Sequence, residues 1–242
     1  MKTRMMLAGL VTGIVMATLP ACSPQDLQSI LGAGAPAALS NDEVIAGLKE
    51  ALRVGTERTV STTSATDGFW GNQLIRIPFP EEAIKVKNTL TSLGMTQPIN
   101  DFERTLNKAA EAAAKEAVPV FVDAITGMTI QDGFTILRGG ENAATSFLRD
   151  KTSAALRARF LPVVEKATRA TELTSYWQPL ASAYNTATLL TGGNTVNPDL
   201  DAYVTDKALT GLFTVLAQEE KRIRVDPVAR TTDLLRKVFA AQ

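Results

Sequence analysis

Apolar residues recur three and four apart along most of this chain, the spacing of helices that bury one face. Ser40 or Asn41 caps the first helix after residue 40, Asp42 and Glu43 fill its first turn, and Val44, Ile45, Leu48 and Leu52 form its stripe. The pattern breaks after Val60 into Ser/Thr-rich sequence, and Gly68-Phe69-Trp70-Gly71-Asn72 reads as a turn. Leu74, Ile75 and Ile77 then run into Pro78-Phe79-Pro80. This predicts an extended segment or small hairpin near residues 68–79, the only β-like part of the chain. Pro80, Glu81 and Glu82 open the next helix, which ends at Gly94.

Pro98 to Ile125 reads as one long helix kinked at Pro119. Its stripe runs from Phe102 and Leu106 through Ala109, Ala110, Ala113 and Ala117 to Val120 and Phe121, and its alanine middle lets another helix approach closely. Thr129-Ile130-Gln131-Asp132 has the form of a capping box for a short helix that stops at Gly139-Gly140. A further helix opens at Glu141, and the next holds Phe160, Leu161, Val163 and Val164 around Pro162. Tyr176–Leu190 is helical and closed by Gly192-Gly193-Asn194. Asp199 opens the penultimate helix, and Asp226-Pro227 ends it and starts the last, with Leu234, Leu235, Val238 and Phe239 inward. No internal repeat is visible. The fold class is all-α, a single domain of eight or nine helices over residues 41–242.

The N-terminus has a different logic. Lys2 and Arg4 precede the uncharged apolar run Met5–Leu19, which at about 15 residues is shorter than the ~20 of a spanning helix. Leu19-Pro20-Ala21-Cys22 closes it with a small residue before the single cysteine. This predicts a lipoprotein signal peptide over residues 1–21, acylation of Cys22, and a flexible tether over residues 22–40 rich in Gly, Ala and Pro. Pro20 departs from the usual small residue at its position. Ser23, in place of an aspartate, favours the outer membrane, with the domain facing the periplasm. Two or three acyl chains anchor lastingly, at ~0.8 kcal/mol per buried methylene.

Composition narrows the chemistry. Basic and acidic residues balance at 25 each, and removing Lys2 and Arg4 leaves a net charge of −2, which argues against a nucleic-acid partner. There is no histidine, so Ser-His-Asp machinery, imidazole acid–base chemistry and His-built zinc sites are excluded. With Cys22 acylated, thiol catalysis is excluded too. A metal site would have to be oxygen-only, and no spacing resembles a calcium loop. No cofactor is expected.

Several blocks resemble one bacterial family. They are Asn107-Lys108-Ala109-Ala110-Glu111, Ala124–Asp132, Ile136-Leu137-Arg138-Gly139-Gly140, Tyr203–Phe213 and Glu219–Pro227, in that order. The chain is similar over roughly Asn41–Ala240 to domain of unknown function 4197, whose members are mostly exported proteins of Gram-negative bacteria. The resemblance implies a fold neighbourhood and an envelope address, and no established activity. Gly133 stands where the family often has alanine, and Phe147 where it often has tyrosine.

Polar clusters mark where chemistry would sit. In Glu219-Glu220-Lys221-Arg222-Ile223-Arg224-Val225-Asp226, Glu219 and Arg222 are three apart and Glu220 and Arg224 four apart, so both pairs can bridge on a helix. The segment is a solvated helix end, a buried network locking the last helices, or a ligand site. Asn107 and Glu111, four apart, are either an exposed pair or face inward to meet Arg222 or Arg224; Asp132 and Asp123 can add carboxylates. Gly139-Gly140 precedes a helix N-terminus able to hold an anion, without the Lys-Ser/Thr of a nucleotide loop. Phe69, Trp70 and Phe79 either fold back on the core or form a docking surface.

The leading expectation is a non-enzymatic envelope lipoprotein, attached to the membrane through Cys22 and binding an envelope protein partner or a small ligand. The alternatives are a carboxylate-dependent hydrolase using Glu111 or Glu220 in a concave pocket, and a carrier with a dry cavity for a hydrophobic ligand.

Overall fold

The computed structural model describes residues 40–226 except 82, 83, 93, 95, 171–176, 179, 180, 183, 187, 188, 190–194 and 196–198. Cys22, the expected signal and tether, and the expected last helix beyond Pro227 lie outside the described residues, and the helix expected over Tyr176–Leu190 is described only in pieces. Seven bounded helices are described, where eight or nine were expected: α1 (Asn41–Thr63), α2 (Ile84–Ser92), α3 (Thr96–Ala114), α4 (Ala117–Thr126), α5 (Ile130–Arg138), α6 (Ala143–Ala170) and α7 (Leu200–Val225). There is no strand among the described residues, so the fold is all-α without a hairpin.

Local sequence accounts for most boundaries. Ser40 caps α1 in a capping box with Glu43, and Thr129 caps α5 in one with Asp132. The Asp199 side chain accepts from the Ala202 N–H at the start of α7. The Ser/Thr-rich stretch after Val60 prolongs α1 by three residues. The buried hydroxyls of Thr56, Thr59 and Thr63 donate back to the carbonyls four residues earlier, so they need no other partner inside the core.

Two prolines act differently from expectation. The rod from Thr96 to Thr126 is interrupted at Lys115–Glu116, before Pro119. Pro119 is the third residue of α4, where a missing N–H loses no intrahelical bond, and its ring excludes the Lys115 carbonyl from the ladder. Pro162 does not divide two helices; α6 runs through it. The proline is exposed, while Leu148, Leu156, Phe160 and Val164 form a fully buried row across it. Each such side chain contributes about 1.5–3 kcal/mol by burial, which outweighs the ~3 kcal/mol of an interior proline.

Helices α6 and α7 pack on each other, with α3 against both; α1 covers α7, and α4 and α5 bridge α1 and α6. The fully buried alanines Ala109, Ala110, Ala113 and Ala114 permit the close approach of α3. Gly211 of α7 does the same for Phe69: a Cβ there would meet the Phe69 ring at 2.5 Å and Ile75 Cβ at 3.1 Å. At Gly133 the space a Cβ would take is filled by the tip of Ile45.

At the start of α7, Asp201 accepts a 2.6 Å hydrogen bond from the Thr168 hydroxyl of α6. Burial, with the nearby carboxylates of Asp199 and Glu165, pushes its carboxyl above the ordinary range despite that bond. A raised acid favours the folded state when protonated. Its contribution is full below the unfolded carboxylate value and is lost as pH rises through the folded one. Asp201→Asn keeps the Thr168 acceptor and removes the charge. Urea midpoints should show the variant gaining on the parent by about 0.5 kcal/mol or less between pH 3.5 and pH 7; a difference that does not move with pH contradicts the assignment.

Candidate functional site

Polar side chains enter the core at two places, both built on four-residue helical spacing. The first is on α3. Glu103, Asn107 and Glu111 are buried in a row facing the irregular segment that leads from α1 to α2. That segment begins with the Gly68 turn, where any Cβ would collide with the Thr62 carbonyl, and continues through turns on Asn72. From Ile75 to Phe79 it lies along α3 as a strap, whose buried N–H groups need partners that a neighbouring strand would otherwise supply.

Side chains supply them. A Glu111 carboxylate oxygen accepts from the N–H groups of Phe69 at 3.1 Å and Trp70 at 3.4 Å. The Asn107 amide accepts from the Ile77 N–H and donates to the Ile77 carbonyl, both at 2.8 Å, copying a β-ladder residue. Glu103 accepts from the Phe79 N–H at 3.1 Å and from Lys87 of α2 at 2.6 Å. From the far side, the Tyr203 hydroxyl of α7 donates to the Pro78 carbonyl at 3.1 Å. The strap's aromatics turn inward: Phe69 is fully buried, and Phe79 packs against Phe102 and Trp177. Trp70 is half-buried beneath the Arg76 guanidinium at 3.4 Å. Asn107 and Glu111 therefore face inward but do not meet Arg222 or Arg224. Glu103, the third rung, was not singled out from sequence; the four-residue spacing from Asn107 in an otherwise alanine-rich stripe is the signal that could have found it.

The second place joins α5, α6 and α7. Glu220 is buried, and its carboxylate accepts from the N–H groups of Ala144 (3.0 Å) and Thr145 (2.8 Å) and from the Thr145 hydroxyl (2.8 Å). The anion at the N-terminus of α6, after Gly139-Gly140, is thus Glu220 itself. Arg224 donates to Glu220 at 3.0 Å and, through its other arm, to the Ile136 carbonyl in the last turn of α5 at 3.0 Å. One pair on α7 caps the end of α5 and the start of α6 together.

The remaining residues of this cluster separate. Glu219 sits 3.5 Å from the half-exposed Arg222 and 3.9 Å from Arg58 of α1. The Asp226 N–H closes α7 onto the Arg222 carbonyl. Asp132 does not join Arg222 or Arg224; it serves the Thr129 capping box, and the Thr129 hydroxyl and N–H hold its carboxyl below the ordinary range. Among the described residues no three Asp, Glu, His or Cys side chains converge as a metal site would require.

Concave surface is small beside Glu220 and Arg224 and larger along α6. A cavity of about 30 Å³ between α1, α6 and α7, touching Glu220 and Arg224, is lined mainly by apolar side chains. Two open grooves of about 430 and 440 Å³ flank α6, one against α4 and α5, the other against α7.

Both polar assemblies predict structural phenotypes. Asn107→Ala removes donor and acceptor at once, leaving the Ile77 N–H and carbonyl unpaired. A loss of about 1–3 kcal/mol is expected, with amide exchange accelerated at Ile77 and Phe79 more than in α6 or α7; uniform exchange would refute a local strap. Glu220→Gln keeps shape but withdraws the charge facing Arg224 and the α6 N-terminus. It should cost about 3–5 kcal/mol, seen as a lowered thermal midpoint, whereas an unchanged midpoint would deny the cap.

The comparisons with known proteins agree on one point. Residues 38–240 match the family model described as Protein of unknown function (DUF4197). No curated protein and no solved structure matches the chain. The matched range contains the strap ladder on α3 and the clamp of Glu220 and Arg224 on α5 and α6. The chain belongs to the DUF4197 family.

Proposed function

We propose that the protein is a non-enzymatic binding module held at the cell envelope by acylated Cys22, facing the periplasm, with the outer membrane as its address. The observation that carries this reading is the use of Glu111 and Glu220. A general base needs a carboxylate within reach of a substrate proton. Here Glu111 faces the underside of the strap, and both Glu220 oxygens accept from the start of α6. Without histidine or a free thiol, the hydrolase reading loses its best residues. A cavity of about 30 Å³ holds one water and not an acyl chain, which weighs against the hydrophobic carrier.

A module that binds needs accessible surface, and the open grooves beside α6 offer it, together with exposed Leu74, Val122 and Val225. Two measurements test the reading. Mass spectrometry of full-length protein extracted from membranes should find the N-terminal peptide beginning at acylated Cys22, and Cys22→Ser should release the protein from the membrane fraction. Photo-crosslinkers at Leu74, Val122 and Val225 in the native envelope should give discrete adducts from at least one position. An unmodified Cys22, or no adduct at any position, overturns the corresponding half.

A further inference from the structure

The two grooves flanking α6 have nearly the same volume but differ in how their opposite charges are arranged. In the groove against α7, Arg157 of α6 and Asp206 of α7 form a direct ion pair, and Arg149 lies over the Phe213 ring. The groove against α4 and α5 is also lined by opposite charges, Asp123 of α4 on one wall and Lys151 and Arg159 of α6 on the other. Among the described residues no ion pair spans it, and the side chains of Asp123 and Arg159 have neither a hydrogen-bond nor an ion-pair partner. Its buried lining is Val120 and Thr152, with Ala124 and Phe147 half-buried beside them, Ala155 exposed at its side, and the Lys151 ammonium 5.9 Å above the Phe147 ring.

Separated opposite charges over an apolar floor suit a ligand that carries both charges and a hydrocarbon body. A volume of about 430 Å³ falls in the range of small-molecule sites. We propose that this groove binds a small zwitterion the size of a short peptide. Its ammonium group meets Asp123, its carboxylate meets Arg159, and its body lies on Phe147 and the alanines. Arg159 suits the carboxylate because its planar fork can donate two parallel hydrogen bonds. Asp132, at the end of the groove, is held by Thr129 and attracts the Lys151 ammonium, so Asp123 and Arg159 are the opposite charges left for the ligand's two ends. This proposal rests on the binding-module reading and gives it a site and a ligand class.

Trialanine is a suitable probe, with both termini charged and methyl side chains. Titrated by ligand-observed NMR against the full-length lipidated protein in micelles, it should bind saturably. N-acetylation of the peptide should weaken binding about five- to tenfold, and on Asp123→Asn protein the same acetylation should change nothing further. C-terminal amidation should behave in the same way with Arg159→Gln. Both positions are exposed, so the variants should retain the parent's thermal midpoint. Absence of saturable binding up to about 10 mM, or binding that neither variant alters, overturns the site. Crosslinked adducts at Leu74 or Val225 without trialanine binding would overturn the groove proposal while leaving the module reading intact.

Discussion

The strap between α1 and α2 is the constraint around which the helices are arranged. An irregular segment laid against a helical core brings backbone N–H groups out of water, and an unpaired one costs about 1–3 kcal/mol. The helix beneath has no free backbone to offer, since its own carbonyls are bonded within the helix. Only side chains can reach across, and they must be spaced to keep to one face. Glu103, Asn107 and Glu111 meet that requirement on α3. Once the strap is fixed, Phe69 and Ile75 are pressed onto α7 at Gly211, and Tyr203 ties the other edge. The contact between α3 and α7 is thus made partly through a third piece of chain.

The same rule governs the opposite end of α7. Glu220 and Arg224 are oriented toward backbone groups, one toward N–H donors at the start of α6 and one toward a carbonyl at the end of α5. A buried ion pair alone is a weak stabiliser, because desolvation offsets the attraction. This pair gains from both helix ends, each of which carries a partial charge opposite to that of the side chain facing it. In a chain with a single cysteine, side-chain-to-backbone bonds of this kind fix the relative positions of elements that a disulfide could hold elsewhere.

Helix periodicity and capping chemistry were legible in the sequence because they depend on near neighbours. Ser40 with Glu43, Thr129 with Asp132 and Asp199 with the Ala202 N–H are all three residues apart. The pairing of Glu220 with Arg224 was legible for the same reason. What was not legible is what those side chains reach beyond their own helix, since Ala144 is 76 residues from Glu220 and Phe69 is 42 from Glu111. The apolar run of Leu74, Ile75 and Ile77 suggested an extended segment or hairpin, yet Ile77 bonds to Asn107 of a helix, and Leu74 and Ile75 bond to Asn72 in their own turn. Pro162 suggested a break because local propensity cannot weigh the buried row that carries α6 through it. Of the groove residues, Lys151 and Arg159 share α6 while Asp123 lies on α4, so no sequence spacing ties the carboxylate to the two cations.

The ladder on α3 recognises backbone rather than side chains, and this bears on how such a protein can diverge. A strap held by its N–H groups tolerates exchange of outward-facing residues but not a change of length, which would shift every rung at once. Substitutions should therefore accumulate at positions such as exposed Leu74, while insertions between Phe69 and Phe79 are disfavoured. The trace such a segment leaves in a sequence lies on its partner helix, as Glu-x3-Asn-x3-Glu along an otherwise alanine-rich stripe. That spacing gives a way to look for helix-bound straps in chains where no strand pattern announces them.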